Sequence, residues 1–216
     1  MQFNELEREV IITNDMLRLN GILALPENAK GMIIFAHGSG SGRFSSRNNF
    51  VARELQKAQF GTLLMDLLSE TESMNRERVF DIDLLAERLQ FAKDWVIEQP
   101  ETKDLKIGYF GASTGAGAAL VSAAEDPTQI FAVVSRGGRP DSADAAIVNV
   151  TAPTLLIVGG NDDIVIELNA KAFSKLKCER ELKLVPGATH LFEEPGTLEQ
   201  VADLASDWFL KYSKNY

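Results

Sequence analysis

The residues most suited to covalent chemistry lie in one short segment of small side chains. Residues 111–115 read GASTG and place Ser113 at the centre of a Gly-x-Ser-x-Gly pattern. An apolar β-type run, 105–110, precedes this segment, and an apolar helical run, 118–124, follows it. A sharp turn from strand to helix needs small neighbours and raises the central side chain above the sheet. The pattern predicts a nucleophilic Ser113, and the alternative is a glycine-rich entry to a helix.

A serine hydroxyl needs a base to take its proton, and the chain has two histidines, His37 and His190. His190 lies between the last predicted strand and the last predicted helix, where an active-edge loop is expected. A neutral imidazole suits proton transfer because its pKa is about 6.5. We predict His190 as the base, and the alternative is a surface histidine. We expect His37 to support its own loop by hydrogen bonding, with a role as a second base as the alternative.

A third group should hold the imidazole in one tautomer, and two aspartates after the predicted strand 154–158 are candidates. Asp162 is preferred, because Asp163 opens the helical run 164–176 and suits a first-turn or capping role there. Asp163 remains the alternative. The predicted order along the chain is Ser113, Asp162 and His190, which is the order used by the α/β-hydrolase fold.

A glycine- and serine-rich loop follows the predicted strand 31–36, and residues 37–42 read HGSGSG. Such a loop can bring backbone N–H groups close to a reacting oxygen. We predict an oxyanion hole made by the backbone N–H groups of Ser39 and of Thr114, the residue after the nucleophile.

Four arginines flank the predicted site, two in the oxyanion loop and two after the predicted strand 130–135. They are Arg43, Arg47, Arg136 and Arg139. They offer a cationic rim to an anionic substrate, and Arg43, Arg136 and Arg139 are the predicted substrate-binding residues. The alternative is that these arginines tie loops to carboxylates such as Asp141, Glu193 or Glu194.

Strands and helices alternate along most of the chain, which predicts one α/β domain over residues 1–216. Short apolar runs suit about eight strands in a mostly parallel sheet with helices on both faces. Two early runs, 9–13 and 17–24, predict antiparallel strands joined by a turn at Asn14-Asp15. Apolar stripes over 82–96 and 198–209 predict two helices that pack on the sheet.

Charge and composition limit the binding partners and the cellular location that we predict. The 216 residues carry a net charge of −9, and an acidic surface repels nucleic acid. Membrane helices need roughly 18 consecutive apolar residues, and no segment approaches that. The acidic start lacks the pattern of a secretory signal, so we expect a cytoplasmic protein. The single cysteine, Cys178, cannot form an internal disulfide. The sequence has no cluster of Cys and His residues that would predict a metal site.

Together these motifs resemble the dienelactone hydrolase-like branch of the α/β-hydrolase superfamily. The resemblance rests on residues 37–40, 111–115, 159–162 and 187–190, which read HGSG, GASTG, GGND and GATH. It implies a carboxylic-ester hydrolase that acts on a small ester or lactone without a cofactor. Only a short polar segment lies where larger relatives insert a lid, so no large lid is expected.

One departure from the family pattern concerns the nucleophile. Dienelactone hydrolase proper carries cysteine at the elbow, whereas this chain has Ser113, which looks more like the serine carboxylesterases of the same branch. Two rival functions remain at this point. The same residues could serve a thioesterase or acyltransferase, and the scaffold could instead be a non-catalytic receptor for a small molecule.

Overall fold

The computed structural model describes residues 6–14 and 17–214 and confirms the predicted α/β-hydrolase architecture. Eight strands form one open sheet with the order β1-β2-β4-β3-β5-β6-β7-β8. The strands are β1 (Leu6–Asn14), β2 (Leu17–Leu25), β3 (Met32–Ala36), β4 (Gly61–Met65), β5 (Ile107–Ala112), β6 (Ile130–Arg136), β7 (Thr154–Gly159) and β8 (Arg180–Val185).

The sheet is parallel except at one edge. There β1 pairs antiparallel with β2, and β2 pairs antiparallel with β4. The two predicted early strands are therefore confirmed, while the turn predicted at Asn14-Asp15 runs into residues 15–16, which lie outside the described residues. Strands β3 to β8 are parallel, so their carboxyl ends meet at one edge, where ligands bind in open α/β sheets.

Helices cover both faces of the sheet. They are α1 (Ser46–Lys57), α2 (Glu70–Ser73), α3 (Arg76–Val79), α4 (Ile82–Glu98), α5 (Thr114–Glu125), α6 (Asp163–Lys175) and α7 (Thr197–Ser213). Helices α1 and α7 pack together on one face, whereas α4 packs against α5 on the other. Each face has its own apolar core, because the parallel strands are buried on both sides.

The predicted helix stripes are confirmed, and capping explains their limits. The Asp81 side chain accepts a hydrogen bond from the Leu84 N–H and so begins α4, which ends just before Pro100. Helices α1, α2 and α3 were not predicted. In α1 two of the buried positions are polar, Asn48 and Gln56, and this interrupts the apolar stripe.

The connection from β6 to β7 is short. A 3₁₀ segment, Pro140–Asn149, fills it and packs on α5 and α6, in agreement with the absence of a large lid. Within residues 6–14 and 17–214, none of the helices combines the length and the apolar character that crossing a bilayer demands.

Helix α5 packs on β3 with almost no space between the two backbones. A Cβ atom added at Gly115 would lie 2.2 Å from the carbonyl oxygen of Ala36 and 2.5 Å from that of His37. A Cβ at Gly111 would lie 2.5 Å from the Cα of Ala116. Backbone atoms cannot move aside like a flexible side chain, so both glycines are needed for the turn from β5 into α5.

We predict that Gly115→Ala destabilises the protein, although alanine favours helices by about 1 kcal/mol over glycine. The added Cβ meets the Ala36 and His37 carbonyls, and overpacking of this kind costs about 1–3 kcal/mol. Urea unfolding measures the net effect of these two contributions on the free energy of unfolding. Ser174→Ala, at an exposed position of α6, is the control and should be neutral or slightly stabilising. A Gly115→Ala variant as stable as the control would contradict the steric argument.

Candidate active site

Ser113 occupies a strained turn between β5 and α5. Its backbone angles are φ 51° and ψ −122°, in the left-handed half of the map that residues other than glycine rarely enter. Two backbone hydrogen bonds hold this conformation: the Ser113 N–H donates to the Arg136 carbonyl at 3.3 Å, and the Arg139 N–H donates to the Ser113 carbonyl at 3.0 Å. The turn therefore has the geometry of a nucleophile elbow.

His190 and Asp162 form a hydrogen-bonded pair. The distance from His190 Nδ1 to Asp162 Oδ2 is 2.8 Å. With Nδ1 donating to the carboxylate, the tautomer leaves Nε2 with a free lone pair. The Asp162 side chain is 15% exposed and that of His190 is 40% exposed, so the carboxylate is shielded while the imidazole reaches the cavity. Asp163 is the first residue of α6, a first-turn position.

The loops that carry this pair are joined to each other. The Asn161 N–H donates to the Ala188 carbonyl at 2.9 Å, and the Asn161 side chain donates to the Gly187 carbonyl at 3.1 Å. On the far side of the histidine, Thr189 donates from its N–H and its hydroxyl to the Glu194 carboxylate, and these bonds lower the pKa of Glu194. The loop after β7 and the loop after β8 therefore hold the pair at a set spacing.

One cavity of about 240 Å³ brings part of the predicted set together, whereas Thr114, Asp162, Arg43 and Arg139 do not line it. Ser113, His190 and Ser39 line it, and so does Arg136 at the end of β6. Asn48, on the unpredicted helix α1, also lines this cavity, and sequence patterning gave no sign of it because it is a polar residue in a weak apolar stripe.

The oxyanion loop differs from the expectation in one respect. Thr114 is the first residue of α5, so its N–H is among the helix donors that have no partner within the helix. The Ser39 N–H, however, donates to the Thr114 hydroxyl at 3.0 Å rather than pointing freely into the cavity. Gly38 lies against the nucleophile, since a Cβ added there would be 3.0 Å from the Ser113 Cβ.

His37 holds this loop in place by hydrogen bonds from its ring. Its Nε2 accepts a hydrogen bond from the Leu67 N–H at 3.0 Å, and its Nδ1 lies 2.8 Å from the Gly38 carbonyl. Both ring nitrogens are therefore occupied by backbone groups, which leaves none to act as a base. Burial lowers the pKa of His37, and this outweighs the raising effects of the Gly38 carbonyl and of Asp66.

The four arginines have different partners. The Arg43 side chain pairs with Asp66, and Arg139 binds Asp141 through two hydrogen bonds of 2.9 and 2.8 Å. Arg47 pairs with Glu193 at 3.1 Å. Three of the four thus tie loops to carboxylates, which was the stated alternative to a cationic rim. Arg136 is the exception.

Sequence comparison places these features in a known family. The sequence profile of the dienelactone hydrolase family matches residues 19–211. The chain belongs to the dienelactone hydrolase family. The resemblance noted from the four motifs is thereby confirmed. The family and its solved relatives support a hydrolase.

Solved structures of similar proteins agree with this membership. A dienelactone hydrolase from Anabaena variabilis is 53% identical, with a TM-score of 0.93, over 96% of this chain and 98% of that one. Est1E from Butyrivibrio proteoclasticus is 16% identical, with a TM-score of 0.81, over 94% of this chain and 98% of that one. At 16% identity, the similarity to Est1E shows a shared fold and nothing further.

A curated relative of this family member is longer. A Mycobacterium tuberculosis H37Rv protein, provisionally named a phosphoribosyl transferase, is 55% identical over 206 residues. These residues are 95% of this chain and 46% of that protein. The chain therefore spans about half the length of the curated relatives that it matches.

The buried His37 predicts a pH dependence of stability in this family member. The pKa of His37 is lowered from its ordinary value of 6.5. Just below that pH, His37 therefore binds a proton in the unfolded chain but stays mostly neutral in the folded protein. We expect the free energy of unfolding to fall as the pH drops below 6.5, and His37→Gln to flatten that slope. Urea unfolding of the wild type and of His37→Gln between pH 7.5 and 5 measures how the free energy of unfolding depends on pH. An equal dependence in the two proteins would contradict the role assigned to His37.

Proposed function

We propose that this protein is a serine hydrolase that cleaves carboxylic esters of small substrates through an acyl-enzyme on Ser113. The observation that carries the proposal is the shared cavity: a strained serine and a histidine, itself bonded to Asp162 at 2.8 Å, both line it. A strained serine that shares a cavity with an imidazole bonded to a carboxylate provides the groups that acyl transfer requires.

In the first half of the reaction Ser113 Oγ attacks the carbonyl carbon of the ester. Its proton passes to His190 Nε2, and the Asp162 carboxylate stabilises the imidazolium that forms. The carbonyl oxygen becomes an oxyanion, which the Thr114 N–H stabilises at the start of α5. The Ser39 N–H contributes when it shifts from the Thr114 hydroxyl to the oxyanion. The carbon–oxygen bond then breaks, and His190 gives its proton to the leaving alkoxide.

In the second half a water molecule replaces the alcohol. His190 takes a proton from the water as it attacks the acyl carbon, and later returns a proton to Ser113 Oγ as the acid leaves. The chemistry uses only groups of this chain and water. Thioester hydrolysis or acyl transfer would use the same residues and differ only in the acceptor or leaving group.

The name of the Mycobacterium tuberculosis relatives suggests a different reaction. The alignment covers 46% of the length of those proteins, so their name does not by itself assign that reaction to the matching residues. The residues around Ser113 have the arrangement for acyl transfer, and the Anabaena variabilis dienelactone hydrolase matches the chain over nearly the full length of both. Ester hydrolysis is therefore the function we assign to this site.

We predict that Ser113→Ala abolishes turnover of short esters, because no other group replaces the attacking oxygen. Hydrolysis of a p-nitrophenyl ester series measures the loss, and a phosphonate probe should label the wild type and not this variant. Ser41→Ala, which alters another serine of the same cavity, is the control and should still be labelled. A folded wild-type protein that the probe does not label would favour a receptor.

We predict that Asp162→Asn lowers kcat on the order of 10³- to 10⁴-fold, because the amide N–H₂ donates to Nδ1 and selects the wrong tautomer, and because a neutral amide no longer stabilises the imidazolium. Asp163→Asn is the matched control, one residue along at the start of α6, and should keep kcat within a few-fold. If the two variants exchange these effects, Asp163 is the partner of His190.

A further inference from the structure

Arg136 is a buried arginine on the wall of the cavity that contains Ser113 and His190. It is 8% exposed and ends strand β6. Its backbone pairs in register with Ala112, the residue before the nucleophile, so the two strand ends lie about 4.8 Å apart. Arg136 and Ser113 line the same cavity, so a substrate bound at Ser113 can place one arm against Arg136.

This guanidinium lacks the partner that a buried arginine normally has. Nη2 donates to the Asn48 side chain at 3.3 Å, and among the described residues Nη1 has no hydrogen-bond partner. Nor does any carboxylate in the described ranges form an ion pair with Arg136. A guanidinium presents five N–H donors in a fork that matches a carboxylate or a phosphate. Buried charges are normally paired, so an unpaired one requires an explanation.

The surroundings of Arg136 add a second positive charge. Burial and the like charge of Arg47 lower the pKa of Arg136 to about 10, so the group is still protonated at neutral pH. Arg47 lines the same cavity, and its Nε is also buried without a partner among the described residues. Arg47 itself pairs with Glu193 at 3.1 Å, so Arg136 is the arginine of this cavity that has no carboxylate partner among the described residues.

We propose that Arg136 binds an anionic oxygen group of the substrate, a carboxylate or a phosphate, while the ester carbonyl lies at Ser113. This inference rests on the proposed function and adds a substrate class to it: a short ester with a negative charge on one arm. The cavity volume of about 240 Å³ limits that arm to a few carbons.

A second, larger cavity suits the other half of the ester. It has a volume of about 550 Å³ and lies beyond Gly38 and Ser39, which line both cavities. Its wall contains apolar side chains such as Val79 and Leu85, and its Arg43 is already neutralised by Asp66. It also contains the exposed Arg18 and Glu70, whose charges are opposite. An uncharged arm is favoured there, so the two cavities distinguish the two arms of the substrate.

The test compares charged esters with neutral isosteres. Ethyl hemisuccinate and ethyl 3-phosphonopropanoate place the charge on the acyl arm, and 3-acetoxypropanoate places it on the alcohol arm. For at least one, the wild-type kcat/KM should exceed that of its neutral isostere, such as ethyl 4-methylpentanoate. Arg136→Met should reduce this preference about 10- to 100-fold. Arg139→Met, whose arginine is paired with Asp141, should retain it.

A binding measurement separates this inference from the proposed function. Succinate or inorganic phosphate should raise the Tm of the Ser113→Ala variant, and the Tm should not rise when Arg136→Met is added. If anions bind through Arg136 but no ester is hydrolysed, the proposed function is wrong and the anion site stands. If neutral esters are hydrolysed through Ser113 while anions are neither preferred nor bound, the inference is overturned.

Folding of the variant is part of the prediction. Removing an unpaired buried charge should leave the Tm of Arg136→Met without ligand equal to or above that of the wild type, whereas a purely structural arginine would give a lower Tm. If Arg136→Met does not fold, Arg136→Lys decides the question. Lysine keeps the charge and loses the fork, so the preference for anionic esters should fall and not vanish. If Arg136→Lys keeps both the full preference for anionic esters and the full rise in Tm with succinate or phosphate, the assignment is contradicted.

Discussion

The contact of helix α5 with strand β3 is the constraint on which the site depends. Gly115 lies on the carbonyls of Ala36 and His37 with no space for even a methyl group. Because backbone meets backbone there, the position of Ser113 above the sheet follows from the packing of two elements. The same contact brings Gly38 against the nucleophile, and His37 then fixes the loop to the end of β4 through Leu67. Ser113 and the loop of residues 37–42 are therefore held in place by one set of contacts.

A second set of backbone contacts fixes the base and its partner. Gly159 lies against the carbonyls of Ala188 and Thr189, and Asn161 bridges the same two loops. Asp162 and His190 consequently depend on the spacing of β7 and β8 and not on the length of either side chain. The unit with the nucleophile and the unit with the base meet across β6, whose last residue, Arg136, contributes both a backbone bond to Ser113 and a charge to the cavity.

The sequence predicted the elements of this site better than the partners of its charges. Ser113, Asp162 and His190 each follow a strand in a short loop of small residues, and that local pattern is enough to place them at one edge. Arg136 and Arg139 look equivalent in the sequence, yet one is buried and unpaired while the other binds Asp141. Their difference arises from α1, a helix with buried polar residues that periodicity does not detect. The single-domain organisation, the cytoplasmic location and the absence of nucleic-acid partners remain predictions.

The strand order has a consequence for how the proposed activity would arise during synthesis. Ser113 follows β5 in the middle of the sheet, while Asp162 and His190 follow β7 and β8 at its edge. The growing chain therefore contains its nucleophile long before its base. Until the last strands dock, the serine is an ordinary alcohol with no group nearby to take its proton. Under the proposed mechanism a nascent or partly folded chain does not hydrolyse esters, and the appearance of hydrolysis would report that the final strands have joined the sheet.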